Sequence, residues 1–316
     1  MARVKFTVDE TLSGKRLDIA ILEADVGLSR RKAKAVIDVG GAYVNRRRVR
    51  KASFVVSGGD VVELEFTAES LKELRGASAV GLPDDAILYR DADIIAVNKP
   101  PGLPSQATKD QSVRHVVPCL QDLLERGGEK AGKLILCHRL DKETSGVILV
   151  ARNAQAATAL TDAFRDRVVM KTYHALVRGS PREERFEVNC HLSEIDKKTG
   201  MVTIVRAGGK SSDTAFIVTE RFPAAGIALL ECHPFTGRSH QIRVHCESKG
   251  LPILGDKRYG TRLSGALLPA IADLTLQHHF LHARQVTFPK RGSEKGITVV
   301  APYPEGWVKV LSLLRT

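Results

Sequence analysis

The chain contains no C-x-x-C pair. Its five cysteines, Cys119, Cys137, Cys190, Cys232 and Cys246, are odd in number and scattered over 316 residues, so neither a disulfide framework nor a structural zinc ribbon is implied. Long apolar runs are missing too. Runs such as IALL, ILV and LIL fall far short of the roughly 20 residues that span a bilayer. The start, MARVKFTVDE, carries charge from its third residue and has no apolar segment of the secretory kind. A cytoplasmic location away from membranes is therefore expected. Acidic charge is in deficit, 36 Asp and Glu against 48 Lys and Arg, a formal net charge of +12. That excess points to a polyanionic partner, although charge alone does not separate nucleic acid from an anionic surface. With 43% hydrophobic residues over this length, one large domain and one small one are expected.

The small domain is assigned to residues 1–66. GKRLDIAILEAD and SRRKAKAVIDVGG are predicted helices, with Leu17, Ile21 and Leu22 on one face, Ala33, Val36 and Ile37 on another, and Ser29 as an N-cap. AYVNRRRVR and DVVELEF alternate like strands, with SGG as a turn between them. From Ser29 to Lys51 nine Lys or Arg (30, 31, 32, 34, 46, 47, 48, 50, 51) face one acid, Asp38. So lopsided a run favours nucleic acid over an idle solvated surface. Residues 67–85, TAESLKELRGASAVGLPDD, read as a linker. In residues 86–316 many strand-like runs and few helix-like ones (NAQAATALTDAFRDR, SHQIRVHCESKG, EGWVKVLSLLRT) occur without regular alternation. An α+β domain on a mixed, largely antiparallel sheet with flanking helices is expected.

Three stretches carry chemistry. In CHRLDKETSGVILVARN the strand LILC enters and GVILVAR leaves a loop that holds Asp141. If the loop begins extended, Arg139 and Asp141 point one way and Leu140 the other. Read alone, Asp141 is also compatible with a surface ion pair or a turn cap. In LLECHPFTGRSHQIRVH a strand ends at Pro234, Ser239 is placed to cap a helix, and His240 and Arg243 share a face. Its N-terminus, preceded by Thr236, Gly237 and Arg238, suits a phosphate. Cys232, His233, His240, His245 and Cys246 cluster there, but their spacing fits no usual zinc pattern. In KTYHALVRG, Tyr173 shares a side with Ala175 and Val177, as a core aromatic also would. VNKPPGLPSQ, GDKRYG and FLHARQVTF give weaker signals.

Residues 1–66 resemble the small RNA-binding domain of a small-subunit ribosomal protein, the alpha-L motif, through G-x-R-L-D, L-S-R-R-x-A, V-N-R-R-x-V and S-x-x-V-x-x-G-D-x-V. The whole chain resembles the RluA-type pseudouridine synthases. The motifs are H-R-L-D-x-x-T-S-G from His138, N-K-P-x-G-L from Asn98, K-x-Y-x-A from Lys171, T-G-R-S-H-Q-I-R-V-H from Thr236, G-D-x-x-Y-G with Asp256 and Tyr259, and L-H-A from Leu281. The resemblance implies an isomerase that detaches uracil from its ribose, turns it and rejoins it through a ring carbon, in a central cleft and with no cofactor or metal. Asp141 would act on the nucleotide, at the sugar or the base, and Arg243 would pair with it. Arg139 would fill the gap left by the flipped uridine, Tyr173 would stack on the base and take part in removing its proton, and Leu281 would wall the pocket. Arg238 and His240 are expected to touch substrate, and Arg30, Arg31, Lys34, Arg46, Arg47 and Arg48 to bind RNA. Ribosomal RNA is the expected partner, transfer RNA the alternative, and the protein a monomer. After Gly102 the loop reads LPSQATKD where many relatives have a His-Pro pair, which bears on the choice of substrate. The rival readings are a non-catalytic RNA-binding assembly factor and a metal-dependent RNA hydrolase, which would need more acids than Glu143 near Asp141.

Overall fold

The structure, a computed structural model, describes residues 2–28, 33, 36–37, 40–66, 81–108, 113–260, 278–290 and 296–316. It divides into two compact units, Met1–Val80 and Gly81–Thr316. Arg30, Arg31, Lys34, the predicted cap Ser29 and most of the predicted linker lie outside the described residues.

In the first unit, strands β1 (Ala2–Thr7), β2 (Ala42–Val44), β3 (Arg47–Val49) and β4 (Val61–Phe66) form an antiparallel sheet in the order β1-β4-β2-β3. Helix α1 (Leu17–Glu23) buries Leu17, Ala20 and Ile21, and Ala33, Val36 and Ile37 are buried in the same core. Leu22, predicted on the α1 core face, is instead 41% exposed; five residues after Leu17 it has rotated off the buried stripe. The run AYVNRRRVR is a hairpin rather than one strand. Its two turn residues, Asn45 and Arg46, both have positive φ, 50° and 63°, as a two-residue turn that matches strand twist requires. The Asn45 side chain secures it, accepting from Val61 N and donating to Asp60 Oδ1. Arg46, Arg47 and Arg48 all stand exposed on this hairpin.

The second unit is built on β5 (Ile87–Arg90), β6 (Ile94–Lys99), β7 (Ile135–Leu136), β8 (Ser145–Ala151), β9 (Met170–Arg178), β10 (Arg185–Leu192), β11 (Ile204–Val205), β12 (Lys210–Phe222), β13 (Ile227–Pro234), β14 (Leu281–Phe288) and β15 (Ile297–Val300). The sheet runs β11-β10-β12-β13-β9-β14-β8-β6-β5, with β15 on β14 and β7 on β8. Every described pairing is antiparallel except β14 with β8. That parallel seam is short, His282 with Ser145 and Ala283 with Gly146. Gly146, at φ +109°, is required there, because a Cβ would lie 2.2 Å from the Ala283 carbonyl oxygen. The seam lies where β8 begins, and the loop carrying Asp141 enters β8 at this point.

The helices are α2 (Val116–Arg126), α3 (Ala154–Arg165), α4 (Gln241–Ser248) and α5 (Glu305–Arg315). No helix is predicted over α2, whose Pro118 looks like a breaker. Pro118 is the third helical residue, where no N–H is needed for the ladder, and Val116, Cys119, Leu120, Leu123 and Leu124 form the buried face. Strands β10 and β15 also go unpredicted: β10 carries a strand-like alternation over Arg185–Leu192 that is passed over, and β15 is only the short run ITVV. The cap predicted at Ser239 is not found at α4: the cap is His240, at φ +56° and without a side-chain cap bond.

Candidate active site

The loop from Cys137 to Thr144 is tied down at alternate residues. His138 Nε2 accepts from Leu149 N at 2.9 Å, and its ring packs on Phe164. Burial lowers the His138 pKa to about 3, and the nearby Lys171 charge acts the same way, so the ring stays neutral and able to accept. The Ser105 hydroxyl accepts from Leu140 N at 3.0 Å and donates to Leu140 O at 2.7 Å. Thr144 Oγ1 meets His279 Nε2 at 2.8 Å. Arg139 is thereby left exposed, with no hydrogen bond or ion pair among the described residues, and the Asp141 side chain stays 25% exposed.

Lys99 completes the framework. It has no exposed surface, and its ammonium donates to Pro100 O (3.0 Å), Leu103 O (2.9 Å) and Lys142 O (3.0 Å), which joins the proline-stiffened loop to the Asp141 loop. Burial pulls its pKa from 10.5 to about 7, against the raising effect of the Glu143 and Asp141 charges. Lys99→Met would leave without their donor three carbonyl groups, one buried and two part-buried. Leaving a buried polar group unpaired costs about 1–3 kcal/mol, so a loss of about 3 kcal/mol is expected, read as a fall in Tm of roughly 6–12 °C. An unchanged melting curve would contradict this role.

Helix α4 delivers Arg243, which is 6% exposed. Its Nε and Nη2 donate to the two oxygens of Asp256 at 2.6 and 3.0 Å, and its Nη1 donates to Asp141 Oδ2 at 2.8 Å. One guanidinium therefore serves two carboxyl groups. The Asp256 side chain is wholly buried; burial would raise its pKa, but the Arg243 hydrogen bonds and charge prevail and hold it at about 2. Arg258 N and Tyr259 N add donors to the same Oδ1. The Arg243 guanidinium also lies over the Tyr259 ring, 4.9 Å from its centre. The fork fits this planar, bidentate use.

His240 approaches Asp141 Oδ2 at 4.0 Å through Nε2. The Tyr259 hydroxyl accepts from Val202 N at 2.6 Å and meets His240 Nδ1 at 2.8 Å. Burial, the largest influence, lowers the His240 pKa.

These groups open onto a cavity of about 1000 Å³. Arg139, Asp141, Tyr173, Arg238, His240, Arg243 and Leu281 all line it. Tyr173 comes from β9, opposite Cys232 and Ala283; burial first, then the Asp141 charge, raises its pKa, so the phenol keeps its proton. Lys171 also lines the cavity, donates to Thr236 O at 3.1 Å, and is brought to about 8 by burial. The expected phosphate seat at Thr236 to Arg238 is partly occupied from within. Gln241 Oε1 accepts from Thr236 Oγ1 and Arg238 N, and Arg238 Nε donates to Ser211 O.

All seven residues predicted for the nucleotide site line this one cavity. Lys99, Lys171, Asp256 and Tyr259 were not predicted as functional, although each lies inside a quoted motif. Of the clustered Cys and His residues, His245 bonds to Ser212 and Thr214 and His233 to Glu231. Among the described residues no group of three or more His, Cys, Asp or Glu is placed to hold a metal ion, and no helix is long and apolar enough to cross a membrane.

The same chain matches the RNA pseudouridylate synthase family over residues 93–248 and the S4 domain family over residues 15–62. It is 33% identical to the ribosomal large subunit pseudouridine synthase C of Escherichia coli (strain K12), over 99% of this chain and 96% of that protein. It is 32% identical to the protein of the same name from Vibrio vulnificus, over 98% and 96%. The solved structure of human RNA pseudouridylate synthase domain containing 4 is 30% identical, with a TM-score of 0.60 over 77% of this chain and 96% of that one. The chain belongs to the RluA-type pseudouridine synthases, with an N-terminal S4 RNA-binding domain. It is an isomerase that converts uridine to pseudouridine in RNA.

Proposed function

We propose that the substrate is large-subunit ribosomal RNA and that Asp141 carries the reaction, in a cytoplasmic protein that works as a monomer. The observation that supports the site most strongly is the Arg243 fork: two of its three donor nitrogens are used by buried Asp256, and the third is directed at partly exposed Asp141. Arg243 is thus fixed independently of Asp141 and presents it to the cavity. The reaction breaks the bond between C1′ and N1, forms one between C1′ and C5, and moves the C5 proton. Asp141 acts as nucleophile or charge stabiliser at the nucleotide. Tyr173 stacks on the base, a role its protonated phenol suits better than that of a free base. Arg139, exposed and unpartnered among the described residues, takes the place of the flipped uridine. Leu281 forms the apolar wall, and Arg238 and His240 contact the nucleotide.

The substrate assignment rests on the names of the relatives and on the basic N-terminal unit. Its test is a map of pseudouridines in ribosomal and transfer RNA from cells lacking this protein. Loss of particular sites in large-subunit RNA supports it, whereas loss only in transfer RNA overturns it.

The basic unit is assigned RNA affinity without choice of uridine. Replacing exposed Arg46, Arg47 and Arg48 together with Ala should weaken RNA binding and flatten its salt dependence by up to about three ions, since each lost phosphate contact removes about one released counterion. Filter-binding titrations across a range of salt concentrations read both quantities; unchanged affinity and slope would count against the assignment.

A further inference from the structure

Two large apolar side chains are exposed where the cavity meets solvent: Phe235, 49% exposed, and Ile195, 45% exposed. Both line the cavity that holds Asp141, and they come from separate parts of the chain, Phe235 just after β13 and Ile195 from the segment between β10 and β11. A single exposed apolar side chain needs no explanation. Two that line the same functional cavity do.

Phe235 is not exposed because its loop is loose. Its N–H donates to Asp213 O at 3.0 Å. Pro234 before it is buried in β13, paired with Thr214. Thr236 after it is buried too, with its hydroxyl on Gln241 and its carbonyl on the Lys171 ammonium. With both neighbours drawn inward, the backbone presents the ring outward. The segment bearing Ile195 is held in the same way: Asp196 Oδ1 accepts from Lys198 N and Thr199 N, and Asp196 N donates to Met201 O.

The exposed charge near Phe235 is positive, whereas Ile195 lies among both signs, between Glu194 and Asp196 and just before Lys197 and Lys198. Arg238, exposed three residues after Phe235, is anchored through Nε to Ser211 O, and its two Nη groups make no hydrogen bond among the described residues. Lys197 and Lys198 stand exposed beside Ile195. A fixed aromatic ring among cations is how a protein holds an unstacked base and its phosphate. The cavity volume, about 1000 Å³, is at the upper end for a site that takes one small molecule, which leaves space for more than the flipped uridine.

We propose that Phe235, on the cavity that Ile195 also lines, is the stacking seat for a base next to the target uridine, with the Arg238 guanidinium on the adjoining phosphate, and that this seat contributes to the choice of uridine. The proposal rests on the Asp141 cavity being the site of reaction but not on which RNA is the substrate.

The test uses the full chain and whichever synthetic RNA fragment the wild-type protein converts, with tritium release from the uracil ring as readout. One stacked base is worth roughly ten-fold or more in affinity. Phe235→Ala should therefore raise KM by about that factor and leave kcat within about two-fold, and Phe235→Trp should restore KM. Removing the base from one nucleotide beside the target uridine should weaken wild-type turnover by a similar factor and affect Phe235→Ala no further. If the protein and RNA changes instead act independently and their effects multiply, or if Phe235→Ala keeps the wild-type KM, the seat is refuted while the assignment of Asp141 stands. A variant that loses kcat and melts early would point to a structural role for Phe235, and that outcome would also overturn the proposal.

Discussion

Asp141→Asn is expected to fold, bind RNA and release no tritium from RNA labelled on the uracil ring. The substitution keeps size and shape, and the amide oxygen still accepts from Arg243 Nη1, while the two bonds from Arg243 to Asp256 are untouched. What disappears is the anionic oxygen presented to the cavity, which a neutral amide replaces neither as nucleophile nor as a stabiliser of positive charge. Arg243→Ala should behave differently. It takes the partner from Asp256, whose side chain is fully buried and whose pKa is held at about 2 mainly against burial. Removing one partner of such a pair costs roughly 3–5 kcal/mol. The stability loss thus comes from Asp256 rather than from Asp141, which is 25% exposed. The first variant should be inert with a normal Tm, and the second impaired and less stable. Near-normal release by Asp141→Asn would refute the mechanism and return the catalytic role to another residue.

The residues that line the cavity were legible because they combine charge with a loop or a helix start: Asp141 and Arg139 between two strands, His240 and Arg243 three apart at the start of one helix. Their supports were not, because the pairings depend on contacts distant in sequence. Arg243 and Asp141 are 102 positions apart, and Lys99 and Lys142 are 43 apart. Lys99 also reads locally as a surface lysine beside prolines, and only the fold shows three carbonyl groups converging on it. Among the elements, the seven β8 residues are all buried and read plainly as an apolar run. Strand β10 was legible in its alternation over Arg185–Leu192 and was passed over, and α2 is concealed by a proline that sits harmlessly in its first turn.

Acidification should unfold the catalytic unit early, because it buries histidines that stay neutral. His245, His279 and His282 are 0%, 5% and 0% exposed. Each is satisfied by hydroxyl groups: His245 by Ser212 and Thr214, His279 by Thr144, and His282 by Ser145. Burial brings their pKa values down to about 4, about 4 and about 3. For His279 the Arg243 charge adds to this, while Asp256, Asp141 and Glu143 oppose it; for His282 the hydrogen bond to Ala301 O opposes it, while Arg284 and His174 add to it. The unfolded value is 6.5, so below pH 6.5 the unfolded chain takes up protons that the native one refuses, and stability falls until each folded pKa is reached. At pH 5 each ring is 1.5 units below its unfolded value, about 2 kcal/mol apiece; the three together remove about 6 kcal/mol from a total that is typically about 5–15, and His138, held at about 3, adds to this. Carboxylates such as Asp256, lowered from 3.8 to about 2, lose their contribution only at lower pH, so the window from 6.5 to 5 isolates the histidines. Lys99 acts elsewhere: its folded pKa of about 7 against 10.5 makes stability rise with pH between those values. The expected result is a Tm roughly 10–20 °C lower at pH 5 than at pH 7, with a slope approaching about 4 kcal/mol per pH unit in denaturant titrations below pH 6. A stability that stays flat between pH 6.5 and 5 would show that these rings take up protons in the folded state.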